Sequence, residues 1–167
     1  KSKFPFNNLY ATPQTLGIDR MVLAAGATLM YPNQNRLIID AGTCITYDFV
    51  NAENEYLGGA ISPGIKIRYK SLNNYTSKLP LLTISEDFEI TGNSTKSAIH
   101  SGVINGVIFE IEGFISQYSL KNQDLTIILT GGDAEFLAKR LKSTIFANSN
   151  FLLESLNLLS LYTQKND

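Results

Sequence analysis

Hydrophobic and polar positions change their period several times along the chain, and each change predicts a new element. Residues 37–39 (Leu-Ile-Ile) form an unbroken apolar run, which is typical of a strand covered on both faces. After an Asp-Ala-Gly-Thr turn, apolar residues alternate with polar ones from Ile45 to Phe49, as in a second strand. We therefore predict a buried β-hairpin with a polar tip over residues 37–49.

The same patterns predict the other elements. Apolar residues recur at helical spacing before Pro32 and again in a long segment that contains Gly102 and Gly106. We predict helices over residues 17–30, 63–74, 93–119 and 151–162. We also predict a strand within the segment EYLGGAISPG (residues 55–64), a strand over 125–130, and a short helix after Gly131 and Gly132. Residues 78–88 are expected to form an irregular connection with a short extended piece. Thr95 is expected to cap the long helix.

Composition and charge narrow the class of protein. Of the 167 residues, 44% are hydrophobic and 17% charged, as in a soluble globular protein. The formal net charge of -1 provides no electrostatic attraction to nucleic acid or to an anionic membrane. The single cysteine, Cys44, suits a reducing cytoplasm. We therefore expect a cytoplasmic protein whose partners are small molecules or other proteins, with no nucleic acid and no membrane.

The tip of the predicted hairpin carries candidate chemistry. Asp40 ends the first strand, Gly42 lets the backbone approach a ligand, and Thr43 offers a hydroxyl beside main-chain N–H groups. Together they resemble a phosphate cradle with a carboxylate that holds a cation. An ordinary hairpin turn uses the same residue types, so the motif alone leaves both interpretations open.

Other polar residues have ordinary explanations. Asp19 lies in the first turn of a predicted helix, where a carboxylate commonly caps free N–H groups. Lys66, Arg68 and Lys70 are expected on a solvated helix face. His100 is the only histidine, and no cysteine or second histidine lies at metal-ligand spacing from it. We therefore expect His100 to have a structural role or to lie on the surface.

Five short motifs, taken together, identify a protein family far more specifically than any one of them does. They are GIDR (residues 17–20), DAGTCITYD (40–48), GGAISPG (58–64), TKSAIHSG (95–102) and LTGGDAEFL (129–137). In this order and spacing the chain resembles the type III pantothenate kinases. The resemblance implies an α/β chain with the ribonuclease-H-like fold of actin-like ATPases, in which a mixed sheet is flanked by helices.

The resemblance also implies an activity and a set of residues. It implies ATP-dependent phosphorylation of pantothenate to 4'-phosphopantothenate, the first step of coenzyme A synthesis. Asp19 would orient or deprotonate the pantothenate hydroxyl, and Arg20 would bind its carboxylate. The remaining substrate-binding residues would be Tyr10, Gly17, Ile18 and Thr95.

For the nucleotide, the resemblance implies that Thr43 contacts ATP phosphate and that Asp40 coordinates a monovalent cation, K⁺ or NH₄⁺. Mg²⁺ would accompany ATP. The resemblance further implies a homodimer with the pantothenate pocket near its interface. The small-residue face at Gly102 and Gly106 is compatible with such packing.

The chain departs from the family pattern in two places. Family members open with an Asp-x-Gly-Asn-Thr phosphate loop, and nothing like it precedes Gly17. We therefore expect residues 1–35 to end a largely missing first domain and residues 36–167 to form the second. Cys44 stands where the family usually has alanine. Two alternatives remain: a non-catalytic regulator or assembly protein of this fold, and an actin-fold kinase for another small alcohol.

Overall fold

The computed structural model describes residues 4–166, which form a six-stranded mixed sheet with helices on both faces. The strands are β1 (Asn7–Asn8), β2 (Asn35–Ala41), β3 (Cys44–Val50), β4 (Glu55–Pro63), β5 (Leu125–Thr130) and β6 (Phe146–Ala147), in the spatial order β1-β4-β3-β2-β5-β6. The helices are α1 (Ile18–Met30), α2 (Ile65–Asn74), α3 (Thr95–Lys121), α4 (Ala134–Ala138) and α5 (Phe151–Asn166), with a 3-10 turn at Pro13–Thr15. The predicted α/β class, a mixed sheet flanked by helices, is confirmed.

The register at the centre of the sheet brings polar residues to one level. β2 pairs antiparallel with β3, so Asp40 lies opposite Thr46. β2 also pairs parallel with β5, so Asp40 lies beside Thr130. Because side chains alternate between the faces of a strand, Asp40 shares its face with Asp48 of the neighbouring strand. The carboxyl end of β2 therefore gathers polar side chains on one face.

Each face of the sheet has its own apolar core. On one face, Leu37 and Ile39 pack in a cluster with Ile104 and Val107 of α3. On the other, Ile38 and Ile128 pack with α1 residues such as Leu23 and with Phe151 of α5. The alternation of residues 37–39 between the two clusters explains the unbroken apolar run in the sequence. α1 thus belongs to the same packed unit as the sheet, while the division predicted at residue 35 stays a prediction.

Most predicted elements are confirmed, and the differences have local causes. Pro63 ends β4, opposite Cys44, instead of opening a helix, and α2 begins at Ile65. Ser94, not Thr95, caps α3: Ser94 accepts from the backbone N–H of Ser97, whose hydroxyl accepts from the N–H of Ser94. The expected cap role of Thr95 is therefore wrong. Residues 76–94 connect α2 to α3 without the expected extended piece.

Helix α3 is long and apolar enough to cross a membrane by length and composition. In the structure it packs along the sheet and buries Ile104, Val107 and Ile111 in the core. Its apolar composition therefore has an explanation in the packing of this domain. His100 on the same helix is buried, with Nδ1 2.8 Å from the hydroxyl of Tyr69, as expected for a structural histidine.

Candidate active site

The first turn of α1 lies over β3 and places a buried ion pair between them. Arg20 donates from Nε to Oδ1 of Asp48 at 2.9 Å, and its Nη2 lies 2.7 Å from the same oxygen. Both residues are buried: Arg20 is 7% exposed and Asp48 0%. Burial lowers the pKa of Arg20, but Asp48, with smaller contributions from Tyr56 and Tyr10, raises it above its ordinary value, so the guanidinium stays charged.

Two tyrosines and a threonine complete this buried cluster. The Tyr56 hydroxyl donates to Asp48 Oδ1 at 2.5 Å, and the Thr46 hydroxyl donates to Oδ2 at 3.2 Å. The Arg20 guanidinium carbon lies 5.8 Å from the centre of the Tyr10 ring, within cation–π range. Burial raises the pKa of Asp48, while the bonds from Arg20, Tyr56 and Thr46 oppose that rise. The cluster therefore fixes the position of the Arg20 guanidinium before any ligand arrives.

Asp19 lies one residue before Arg20 but is exposed. The N-cap of α1 is Gly17, and no side chain caps this helix end. The Asp19 carboxylate instead accepts from the backbone N–H of Arg20 at 2.8 Å. Asp19 thus satisfies one free N–H group of the first turn, as expected for a carboxylate at a helix start. Because the residue is exposed, its carboxylate also remains accessible to a ligand. Ile18 precedes it in the same turn and is 66% exposed.

Asp40 is the third carboxylate in this region. Burial raises its pKa, and the negative charges of Asp19 and Asp48 raise it further. The Gly131 turn presses against Asp40: a Cβ added to Gly131 would lie 2.4 Å from Asp40 Oδ1, and its φ of +95° is itself unfavourable for other residues. A bound cation would offset the mutual repulsion of these carboxylates.

The β2–β3 turn presents Thr43 to solvent beside this carboxylate. Thr43 is exposed, and its carbonyl accepts from the backbone N–H of Gly64, directly before α2, at 3.0 Å. On the far side of Asp40, the N–H of Asp133 donates to the carbonyl of Ala41 at 2.9 Å. The β2–β3 turn and the turn after β5 are thus tied together around the end of β2. Such paired turns can receive a phosphorylated ligand.

The structure brings most of the predicted site residues together. Tyr10 and Arg20 are in contact, and Asp19 and Asp40 interact through their charges. Thr95 is exposed at the start of α3, and none of the contacts within residues 4–166 links it to the cluster around Arg20. Within the same range, no group of three or more His, Cys, Asp or Glu side chains is arranged to hold a metal ion.

Sequence reasoning missed Asp48, Tyr56 and Arg68. Asp48 occupies a polar position in an alternating strand, which is the usual pattern of a solvated face; only the packing of α1 shows that it is buried. Arg68 departs from the expected solvated face, since its Nη2 lies 2.5 Å from Oε2 of Glu110. The one available signal was that Asp48 closes the DAGTCITYD motif.

The fold is that of the actin-like ATPases. An archaeal actin homologue, Ta0583, matches with a TM-score of 0.54 at 12% identity over 87% of this chain and 54% of its own. A Campylobacter jejuni protein described as a conserved Baf family transcriptional activator matches with a TM-score of 0.69 at 24% identity, over 97% of this chain and 70% of its own. At these identities the likeness shows the fold alone.

Sequence relatives narrow the class further. The model of the type III pantothenate kinase family matches residues 1–117. A type III pantothenate kinase of Flavobacterium johnsoniae is 65% identical over 98% of this chain and 67% of its own length. That of Christiangramia forsetii is 56% identical over 93% of this chain and 64% of its own. The chain belongs to the type III pantothenate kinase family, and it spans about two thirds of the length of these relatives.

Family membership confirms the predicted enzyme class, a kinase that acts on pantothenate, and with it the use of ATP. The roles of single residues, the cations, the homodimer and the cytoplasmic location belong to the proposed function.

Proposed function

We propose that this chain carries the pantothenate-binding part of the kinase active site, together with one wall of the ATP site. The observation that carries the proposal is the first turn of α1, which holds an exposed carboxylate, Asp19, beside a fixed guanidinium, Arg20. Pantothenate has a hydroxyl at one end and a carboxylate at the other. Asp19 therefore orients the hydroxyl as a base, and Arg20 binds the carboxylate.

Arg20 has donors left for a second carboxylate. An arginine presents five N–H donors, and Asp48 engages only its Nε and Nη2 nitrogens. Asp48 and Tyr56 hold the guanidinium in place, so little side-chain freedom is lost when pantothenate binds. Tyr10, which lies beside the guanidinium, contacts the bound pantothenate, as do Gly17 and Ile18 at the start of α1.

Thr43 and the two turns around Asp40 receive the ATP phosphates. Asp19 and Asp48 place two further negative charges near Asp40, and this favours a monovalent cation at the Asp40 side chain. A single carboxylate with backbone oxygens suits K⁺ or NH₄⁺ better than a dedicated Mg²⁺ cage. Mg²⁺ therefore enters with the ATP phosphates. Phosphoryl transfer depends mainly on alignment and charge neutralisation, and this chain's carboxylates and turns provide both.

Thr95 takes part in pantothenate binding from the partner subunit of a homodimer. It is exposed and shows no contact with Arg20 or Tyr10 of its own subunit. Mixing inactive Asp19→Asn and Thr95→Ala subunits tests this role. If each site uses both subunits, equal mixing restores about a quarter of the wild-type sites. If both residues act within one subunit, mixing restores nothing.

The activity itself is tested in the complete natural protein with ATP, pantothenate and either K⁺ or Na⁺. Asp19→Asn is expected to lower kcat by about 10²–10⁴-fold, because the base is lost while the fold persists. The matched control is Asp124→Asn, which changes an exposed carboxylate at a left-handed turn position that asparagine tolerates. Near-normal turnover of Asp19→Asn would show that the base assignment is wrong.

A panel of other small alcohols separates the remaining alternatives. Turnover of another alcohol at equal kcat/KM would favour a kinase of different specificity. Absence of turnover with every alcohol, in the presence of K⁺ and Mg²⁺, would favour the non-catalytic regulator.

A further inference from the structure

A second polar cluster lies on the face of the sheet opposite Arg20 and Asp48. Its centre is Glu110, in the middle of α3. Glu110 Oε1 accepts from the hydroxyls of Tyr47 at 2.8 Å and Ser62 at 2.5 Å. Tyr47 precedes Asp48 in β3, so their side chains point to opposite faces. Glu110 therefore does not belong to the pantothenate-binding cluster described above.

The Glu110 cluster holds the end of β4. Ser62 is bound directly, and Glu110 Oε2 accepts from Nη2 of Arg68 at 2.5 Å. Arg68 in turn donates from Nε to the carbonyl of Pro63 at 2.8 Å. A single carboxylate on α3 thus fixes two consecutive residues of β4, one directly and one through Arg68.

Gly64, which follows Pro63, is in direct contact with the β2–β3 turn. Its N–H donates to the carbonyl of Thr43 at 3.0 Å. A Cβ added to Gly64 would lie 2.1 Å from the carbonyl oxygen of Gly42 and 2.5 Å from that of Thr43. The turn therefore rests directly on Gly64, and a displacement of the β4 end moves Thr43 with it.

We propose that Glu110 is a positioning residue of the nucleotide site, which sets the place of Thr43 through Ser62, Pro63 and Gly64. The proposal deepens the proposed function and rests on the role of Thr43 toward ATP phosphate. Glu110 itself contacts no substrate. Its bonds to Ser62 and Arg68 lead to the β2–β3 turn, whereas Arg20 is held by Asp48 on the opposite face of the sheet.

The test uses Glu110→Gln in the complete natural protein. Glutamine keeps an acceptor for Tyr47 and Ser62 but loses the charge that binds Arg68. We expect the dissociation constant and KM for ATP to rise about tenfold, since small misplacements of a binding group are costly. The KM for pantothenate is expected to stay within about twofold of wild type. Calorimetric titration with a non-hydrolysable ATP analogue measures the affinity without turnover.

Tyr47→Phe is the matched control, because it removes another hydrogen bond of the same carboxylate but leaves Ser62 and Arg68 in place. A purely structural role would weaken both variants alike or raise both KM values together, and either result would overturn the proposal. Ser62→Ala, which cuts the direct link to β4, provides a second variant if Glu110→Gln fails to fold.

Measurements on the wild type distinguish a failure of the proposed kinase function from a failure of the role proposed for Glu110. ATP binding without pantothenate turnover in the wild type would contradict the proposed acceptor site, while the nucleotide affinities of the variants would still decide the role of Glu110. A wild-type protein that binds no ATP would overturn both.

Discussion

Two arginine–carboxylate pairs lie on opposite faces of the β3–β4 hairpin, and they differ in burial and in what they hold. In the Arg20–Asp48 pair the side chains are 8% and 0% exposed. In the Arg68–Glu110 pair they are 21% and 23% exposed. The first pair fixes the guanidinium of Arg20 in the first turn of α1, whereas the second fixes the end of β4 beside α2. Under the proposed roles, similar chemistry serves recognition on one face and loop placement on the other.

The difference in burial has an energetic consequence. A buried ion pair recovers its desolvation cost only while both partners are present, so the loss of one partner is strongly destabilising. A partly exposed pair is screened by solvent and contributes less. The Arg20–Asp48 pair should therefore dominate stability, and the Arg68–Glu110 pair should mainly affect geometry.

The largest expected effect is that of Asp48→Ala. This change leaves the Arg20 guanidinium buried without its carboxylate, and we expect the free energy of unfolding to fall by about 3–5 kcal/mol. Urea denaturation of Asp48→Ala and Glu110→Ala side by side measures the contrast. A loss for Glu110→Ala equal to or larger than that for Asp48→Ala would contradict the comparison.

Replacing both partners separates stability from recognition. In Arg20→Met combined with Asp48→Leu no buried charge is left unpaired, and we expect most of the stability lost in Asp48→Ala to return. Pantothenate binding should remain lost, because the guanidinium is absent. Denaturation and calorimetric titration of the double variant test both parts. Retained pantothenate affinity would show that Arg20 is only structural.

Arg20→Lys and Arg68→Lys test whether the two ion pairs affect different substrates. Lysine keeps the charge but loses the planar fork that can hold two partners at once. Arg20→Lys should raise the KM for pantothenate about tenfold, equivalent to ~1.4 kcal/mol, and leave the KM for ATP nearly unchanged. Arg68→Lys should do the reverse. Steady-state kinetics with each substrate varied in turn would reveal equal effects on both KM values, which would refute the division of roles.

The sequence predicts the centre of the fold well, because the hydrophobic pattern of β2 and β3 matches the burial of their side chains in the structure. The apolar run at residues 37–39 and the alternation after the turn both reflect how β2 and β3 are covered. The two-residue strands β1 and β6 escaped prediction, since their pairing is decided by distant residues. At the start of α3 the sequence analysis selected Thr95 as the cap, whereas the reciprocal bonds of Ser94 and Ser97 show that Ser94 takes this role.

The site was predictable only in part. The residues proposed to bind a ligand lie in short motifs, and Asp19, Arg20, Asp40 and Thr43 could be selected from them. The residues that hold those groups in place cannot be found this way. Asp48 and Glu110 bind partners 28 and 42 positions away along the chain, and such pairs carry no local pattern.

The smallest expected effect is a pH dependence of opposite sign for the two carboxylates. Although burial opposes it, hydrogen bonds from Ser62, Arg68 and Tyr47 lower the pKa of Glu110 below its ordinary value of 4.5. Its stabilisation is therefore complete above that pH and is lost as the pH falls through the lowered pKa. Burial raises the pKa of Asp48 above 3.8, so the native state holds that proton more tightly and gains relative stability as the pH falls.

Unfolding free energies of wild type, Glu110→Gln and Asp48→Asn between pH 7 and about pH 3 measure these two trends. The advantage of the wild type over Glu110→Gln should shrink toward acid, because the lost charge no longer matters once Glu110 is protonated. Its advantage over Asp48→Asn should grow over the same range. Parallel trends would mean that burial does not dominate at Asp48, and that its hydrogen bonds to Arg20 and Tyr56 set its ionisation as the bonds of Glu110 do.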